Sequence, residues 1–277
     1  MAKRLMSAIF GITYVVLVLV FNGRFPILLN LSLAAVSAVA VFEVCCAMGV
    51  QKIYGMVIPA LAFSLIMPLF GFTYFNRACF LYAVVMFCVL IALHKTITFK
   101  DLAVLYSLSL IISYPLGLIC QLRDIGGAAH NTIGVFYIVI CLVLPWTADA
   151  GAYFIGSAMG KHKLCPNISP KKSVEGAAGG VVVSVLCMVA TCLIFQYWIF
   201  PQGVKIHYVA VIILSLVGAG LSIIGDLSFS LVKRGCHIKD FGNVLPGHGG
   251  LLDRFDSVIF VVPMIYFIST IYPVITI

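Results

Sequence analysis

The chain has 277 residues, of which 63% are hydrophobic and only 9% charged, with a mean hydropathy of +1.17. Soluble domains carry about 25% charged residues, so this composition excludes an ordinary soluble globular protein and indicates an all-α, polytopic membrane protein. The net charge of +8 then reads as cationic loops facing anionic lipid rather than as binding of nucleic acid.

Nine apolar runs approach the roughly 20 residues needed to cross a bilayer. They cover about 5–22, 26–49, 55–75, 78–94, 102–122, 132–149, 177–200, 207–231 and 256–276. Lys3 and Arg4 resemble the start of a signal peptide, but the small-residue site at Ala38 and Ala40 lies too deep in the second run for cleavage. An uncleaved first helix is expected. With nine spans, thirteen of the Lys and Arg residues fall on one side and Arg24, Arg77, Arg123 and Lys205 on the other. That bias predicts N-terminus in, C-terminus out, and the cationic loops in the cytoplasm. Most of the ten cysteines lie within apolar runs and none forms a Cys-x-x-Cys pair, which argues against a zinc or redox centre.

Residues 1–125 read as N-terminal transmembrane helices serving as scaffold or lipid-facing surface. Glu43 is the exception. A carboxylate within an apolar helix is a functional candidate, or one neutralised or paired inside the bundle. Residues 126–277 read as the catalytic region, because six of the nine carboxylates lie there: Asp149, Glu175, Asp226, Asp240, Asp253 and Asp256. At 1.5 Å rise per residue, Asp149 lies about 26 Å along the sixth run and Asp226 about 28 Å along the eighth. Asp256 opens the ninth. All three reach a similar depth near the cytoplasmic interface, and clustered carboxylates repel unless a proton or cation lies between them. An oxygen-only set suits a hard cation, Mg²⁺ first and Mn²⁺ as a substitute, with room for a second cation.

Phosphate-binding chemistry is interleaved with these acids. Lys161, Lys171, Lys172, Lys233, Arg234, Lys239 and Arg254 supply cations, although topology alone also places such charges at cytoplasmic helix ends. The run Pro246-Gly247-His248-Gly249-Gly250 offers backbone N–H groups to an anion. His248 suits a general base, a phosphate donor or a plain turn residue. Asp149 to Lys161 is rich in small residues, which permits close helix approach, and Asp149 and Tyr153 share a helix face. In Ser169 to Gly176, Ser173 is placed to cap a glycine-rich helix, and Lys171 and Lys172 precede that N-terminus, where anions bind well.

The 27 residues from Ser230 to Asp256, with Lys-Asp-Phe-Gly at 239–242 and Leu-Pro-Gly-His-Gly-Gly-Leu-Leu-Asp-Arg-Phe-Asp at 245–256, resemble the signature of the phosphatidate cytidylyltransferases. Asp149–Lys161 and Ser169–Gly176 are similar to two further stretches of that family. One position departs: Phe229 stands where members usually carry Glu. The resemblance implies a transferase converting CTP and phosphatidic acid to CDP-diacylglycerol and diphosphate at the cytoplasmic membrane, with a divalent metal; a homodimer is compatible with it. On that basis Asp226 and Asp256 are assigned to metal, with Asp149 and Asp253 as further ligands or as carboxylates behind them. Lys233, Arg234, Lys239 and Arg254 are assigned to phosphates, together with Lys161, Lys171, Lys172, Ser169, Gly249 and Gly250; His248 and Lys239 join the catalytic set. The alternatives are a CTP-dependent enzyme acting on another lipid phosphate or lipid alcohol, and a secondary transporter. Against a transporter, the acids are not at the midplane and the halves share no visible repeat.

Overall fold

A computed structural model describes residues 2–71, 74–125, 127, 131–200, 203–244, 247 and 249–276. Among these, the chain forms nine α-helices: α1 (Ala2–Phe21), α2 (Pro26–Ala47), α3 (Tyr54–Phe70), α4 (Phe75–Ala92), α5 (Phe99–Asp124), α6 (Asn131–Met159), α7 (Val174–Ile194), α8 (Tyr208–Gly235) and α9 (Leu252–Ile271). Each overlies one of the apolar runs. Helix is the expected outcome, since a segment in lipid must satisfy its own backbone hydrogen bonds. Seven of the helices are long and apolar enough to cross a membrane; α3 and the Ile9–Phe21 part of α1 are apolar but shorter. The protein is an integral membrane protein.

Helix ends differ from the hydropathy limits where small residues dilute an apolar run without breaking it. The α6 helix continues ten residues beyond Asp149, to Met159, because Ala, Gly and Ser lower hydropathy yet remain helical. Asp149 therefore lies inside a helix, about 15 Å before its end. Proline is accommodated within α3, α5, α6 and α9.

Two antiparallel strand pairs complete the described residues. In one, β1 (Lys163–Cys165) pairs with β2 (Ser169–Ser173), with Lys163 opposite Ser173. In the other, β3 (Lys205–Ile206) pairs with β4 (Ile275–Thr276).

The chain divides into two compact units. The first holds Met1–Gln121 and Gly235–Arg254. Its interior is aromatic and aliphatic: Tyr82 stacks on Phe63 and on Tyr106, with ring centroids 4.6 and 5.0 Å away. The α3 helix stops at Gly71, whose φ of +64° is open to glycine. Near that end the Asn30 amide donates to the Pro68 carbonyl at 2.8 Å.

The second unit holds Leu122–Arg234 and Phe255–Ile277. Its principal contact is between α6 and α7, and small residues permit it. A Cβ on Gly180 would lie 2.5 Å from the Ala148 carbonyl oxygen, and one on Gly176 would lie 2.7 Å from that of Ala152. The small-residue stretch after Asp149 thus serves the close approach expected of it.

Candidate active site

The sequence places Asp226 on α8 with Ser222 four residues before it and Ser230 four after, so all three share one helix face. Lys233 continues that face. The structure brings this face to Asp149 on α6 and to Asp256 and Ser257 on α9, all within the second unit. Ser222 Oγ donates to Asp149 Oδ1 at 3.2 Å and Ser257 Oγ donates to Asp149 Oδ2 at 2.8 Å. Ser230 Oγ donates to Asp226 Oδ1 at 3.3 Å. Asp256 Oδ1 accepts the Ser257 backbone N–H at 2.8 Å. The α8 and α9 backbones touch at Gly225, where a Cβ would lie 2.8 Å from the Asp256 carbonyl oxygen.

Two cations answer these acids. Lys172 Nζ forms an ion pair with Asp226 Oδ2. Lys233, 9% exposed, lies within electrostatic reach of Asp256, itself 6% exposed, as do Asp149 and Asp226. Lys172 and Asp226 act in the same way on Asp149. Among the described residues, the carboxylates of Asp149, Asp226 and Asp256 thus lie near the ammonium groups of Lys172 and Lys233 in a half-buried setting. Like charges at such range call for a proton or a further cation between them.

Lys172 arrives there through the β1–β2 hairpin. Ser173 ends β2 and caps α7, its side chain accepting the Gly176 N–H at 3.1 Å, as its position in the sequence led us to expect. Glu175, in the first turn of α7, accepts the N–H groups of Lys161 and His162 at 3.1 and 3.2 Å. Its Oε1 also lies 2.6 Å from His162 Nδ1. The hairpin is therefore tied at both ends, with Lys172 next to the cap. Lys161, Lys171 and Arg234 are exposed and Ser169 is half-buried. Tyr153 is exposed and does not join Asp149. Phe229 is 2% exposed and meets Phe260 edge-on at 6.3 Å, so an apolar contact occupies that position.

The remaining predicted residues lie in the first unit. Asp253 Oδ2 accepts the N–H groups of Phe241 and Gly250, at 2.9 and 3.0 Å, and so ties these two residues together. The Gly250 N–H is thereby already donated within the chain. Gly249 has a φ of +87° and lies close to the Asp253 and Asp240 side chains. Lys239 and Arg254 are exposed. His248 lies outside the described residues. Sequence reasoning missed Ser222, Ser230 and Ser257, although the i, i+4 spacing around Asp226 and the adjacency of Ser257 to Asp256 were signals for them.

Among the described residues, no group of three or more His, Cys, Asp and Glu side chains closes on a metal by itself. The set at Asp149, Asp226 and Asp256 nevertheless fits a hard cation chemically. Its donors are oxygen only, and three carboxylates lie close enough to act on one another. Mg²⁺ commonly takes one or two carboxylates and completes its shell with water and substrate phosphate.

The cytidylyltransferase family matches residues 2–272 of this chain. A phosphatidate cytidylyltransferase of Bacillus subtilis strain 168 is 31% identical over 283 residues, covering 98% of each chain. Enzymes of the same name are similar over a shorter stretch: that of Staphylococcus haemolyticus is 42% identical over 137 residues, 50% of each chain. That of Staphylococcus aureus strain COL is 44% identical over 132 residues, 48% of each chain.

Proposed function

The chain belongs to the cytidylyltransferase family, and from that premise we propose that it transfers the cytidylyl group of CTP to phosphatidic acid, giving CDP-diacylglycerol and diphosphate. The observation that carries the reading is the convergence of Asp149, Asp226 and Asp256 with Lys172 and Lys233 from three helices and one hairpin.

The chemistry asks for little more than this. A phosphate oxygen of phosphatidate attacks the α-phosphorus of CTP, the new O–P bond forms, and the bond to the bridging oxygen breaks so that diphosphate leaves with its electron pair. A phosphomonoester is already nucleophilic near neutral pH, so no protein nucleophile is needed. Two anions must be brought together and the charge on the leaving group neutralised, which is work for positioning and electrostatics. Lys172 pairs with Asp226, and Lys233 lies near Asp256; both supply positive charge at the phosphates. Ser222 and Ser257 fix both oxygens of Asp149, and Ser230 steadies Asp226. Asp226 and Asp256, with Asp149, would hold Mg²⁺, and Mn²⁺ can substitute. When bound, the ion neutralises charge on the triphosphate and on the departing diphosphate.

The site faces the cytoplasm in this reading, in the cytoplasmic membrane. Supporting it, Asp149 lies toward the end of α6, Asp226 toward the end of α8 and Asp256 at the start of α9, so α7 and α8 form an out-and-back pair. The excess of Lys and Arg lies on the side that this assigns to the cytoplasm.

The test is purified protein in lipid micelles with CTP, phosphatidate and Mg²⁺, followed by identification of the lipid product. CDP-diacylglycerol together with diphosphate supports the reading. Turnover of CTP onto a different lipid acceptor, with phosphatidate inert, would contradict it.

A further inference from the structure

Glu43 is a carboxylate that the proposed chemistry does not use. It lies on α2, four residues before the helix ends, and is only 3% exposed. A buried carboxylate costs several kcal/mol unless it is fully hydrogen-bonded. Here both oxygens are engaged by backbone more than 200 residues away. Oε1 accepts the Leu251 N–H at 2.9 Å and Oε2 accepts the Leu252 N–H at 2.8 Å. These are among the first N–H groups of α9, which have no partner within their own helix and lie where the helix dipole favours negative charge.

The backbone around the carboxylate is shaped for it. A Cβ on Gly242 would lie 2.5 Å from Glu43 Oε1, and one on Gly250 would lie 2.8 Å from Oε2. Asp253 closes the other side by binding Phe241 and Gly250 N–H. Gly242, Gly250 and the start of α9 thus pack against one side chain from α2. That turn carries Arg254, and Asp256 follows on the same helix one turn after Leu252.

We propose that Glu43 is a positioning residue for the reaction: it fixes the first turn of α9 and so the placement of the catalytic carboxylate on that helix. Glu43 touches no substrate; it acts through Leu251 and Leu252. The inference rests on the proposed cytidylyl transfer, with Asp256 in the site.

Glu43→Gln keeps the size of the side chain but turns an NH₂ group toward one of the two N–H donors. Loss of such a supporting interaction costs 10- to 100-fold in comparable sites, so kcat should fall at least about tenfold. KM for phosphatidate should stay within about twofold, because a misplaced carboxylate is felt in the transition state rather than in lipid binding. Glu43→Asp, which retains two acceptors, should recover part of the loss. Gly242→Ala, which crowds the same carboxylate, should reproduce the kcat defect, and it decides the matter should Glu43→Gln fail to fold. Wild-type protein is measured alongside: a wild type that makes no CDP-diacylglycerol sinks the proposed function. An active wild type with Glu43→Gln of equal kcat, or a loss that follows thermal unfolding alone and is no better in Glu43→Asp, overturns the role of Glu43.

Discussion

Lys172, one residue before the cap of α7, forms an ion pair with Asp226 in the middle of the polar face of α8. Neither partner is fully exposed, with side chains 21% and 29% accessible, so solvent screens the pair less than it would a surface pair. The lysine reaches the acid because the β1–β2 hairpin is held by the Ser173 cap and by Glu175.

Replacing Lys172 with Met leaves Asp226 facing two other carboxylates with one cation fewer. Turnover should fall roughly 10²- to 10³-fold, as on removal of one electrostatic partner from other active sites. Lys172→Arg should restore only part of it, since a planar guanidinium does not reproduce a single ammonium contact. Labelled-CTP turnover at saturating phosphatidate measures both; a Met variant within twofold of wild type would remove Lys172 from the site.

The contact between α6 and α7 makes a stability prediction with an internal control. Gly180→Ala puts a methyl group 2.5 Å from the Ala148 carbonyl oxygen and should destabilise by about 1–3 kcal/mol. Gly220→Ala, with nothing within 4 Å of the added carbon, should be neutral or stabilise by up to about 1 kcal/mol. Thermal unfolding in detergent compares the two. Equal effects would mean that close approach at Gly180 is not what requires glycine there.

Removal of divalent cations should abolish turnover, and Mg²⁺ or Mn²⁺ should restore it while Ca²⁺, with its longer bonds and higher coordination, restores less. Assays after chelation and metal replacement read this directly. Undiminished activity in excess chelator would leave the acidic cluster without the role given to it.

A reporter fused after Ile277 should report the side opposite the cytoplasm, since α9 starts at the cytoplasmic face in this account. A cytoplasmic C-terminus would require a different number of crossings.

Much of the site is legible in the chain because burial makes charge conspicuous. Asp149 and Asp226 stand in apolar helices where a carboxylate is costly, and helix rise alone puts both at a common depth. The Ser222, Asp226 and Ser230 face needs only the spacing of a helix. Other features have no local signature. The pairing of Lys172 with Asp226 depends on where a hairpin folds back, and Glu43 meets its partners across 208 residues. The end of α6 is misplaced by hydropathy because Gly, Ala and Ser there lower the average while packing against α7. The glycines at 249 and 250 suggest an anion cradle by composition, yet Asp253 takes the Gly250 N–H, a competition that only tertiary structure reveals.

The most direct test of the account is turnover of labelled CTP by Asp149→Asn, Asp226→Asn and Asp256→Asn, each shown to be folded by its thermal transition in detergent. Asn nearly preserves shape and removes the charge on which cation binding depends. The account predicts that Asp226→Asn and Asp256→Asn each lose at least about 10²-fold in kcat, and Asp149→Asn at least about tenfold. Near-normal turnover by Asp226→Asn or Asp256→Asn would contradict it.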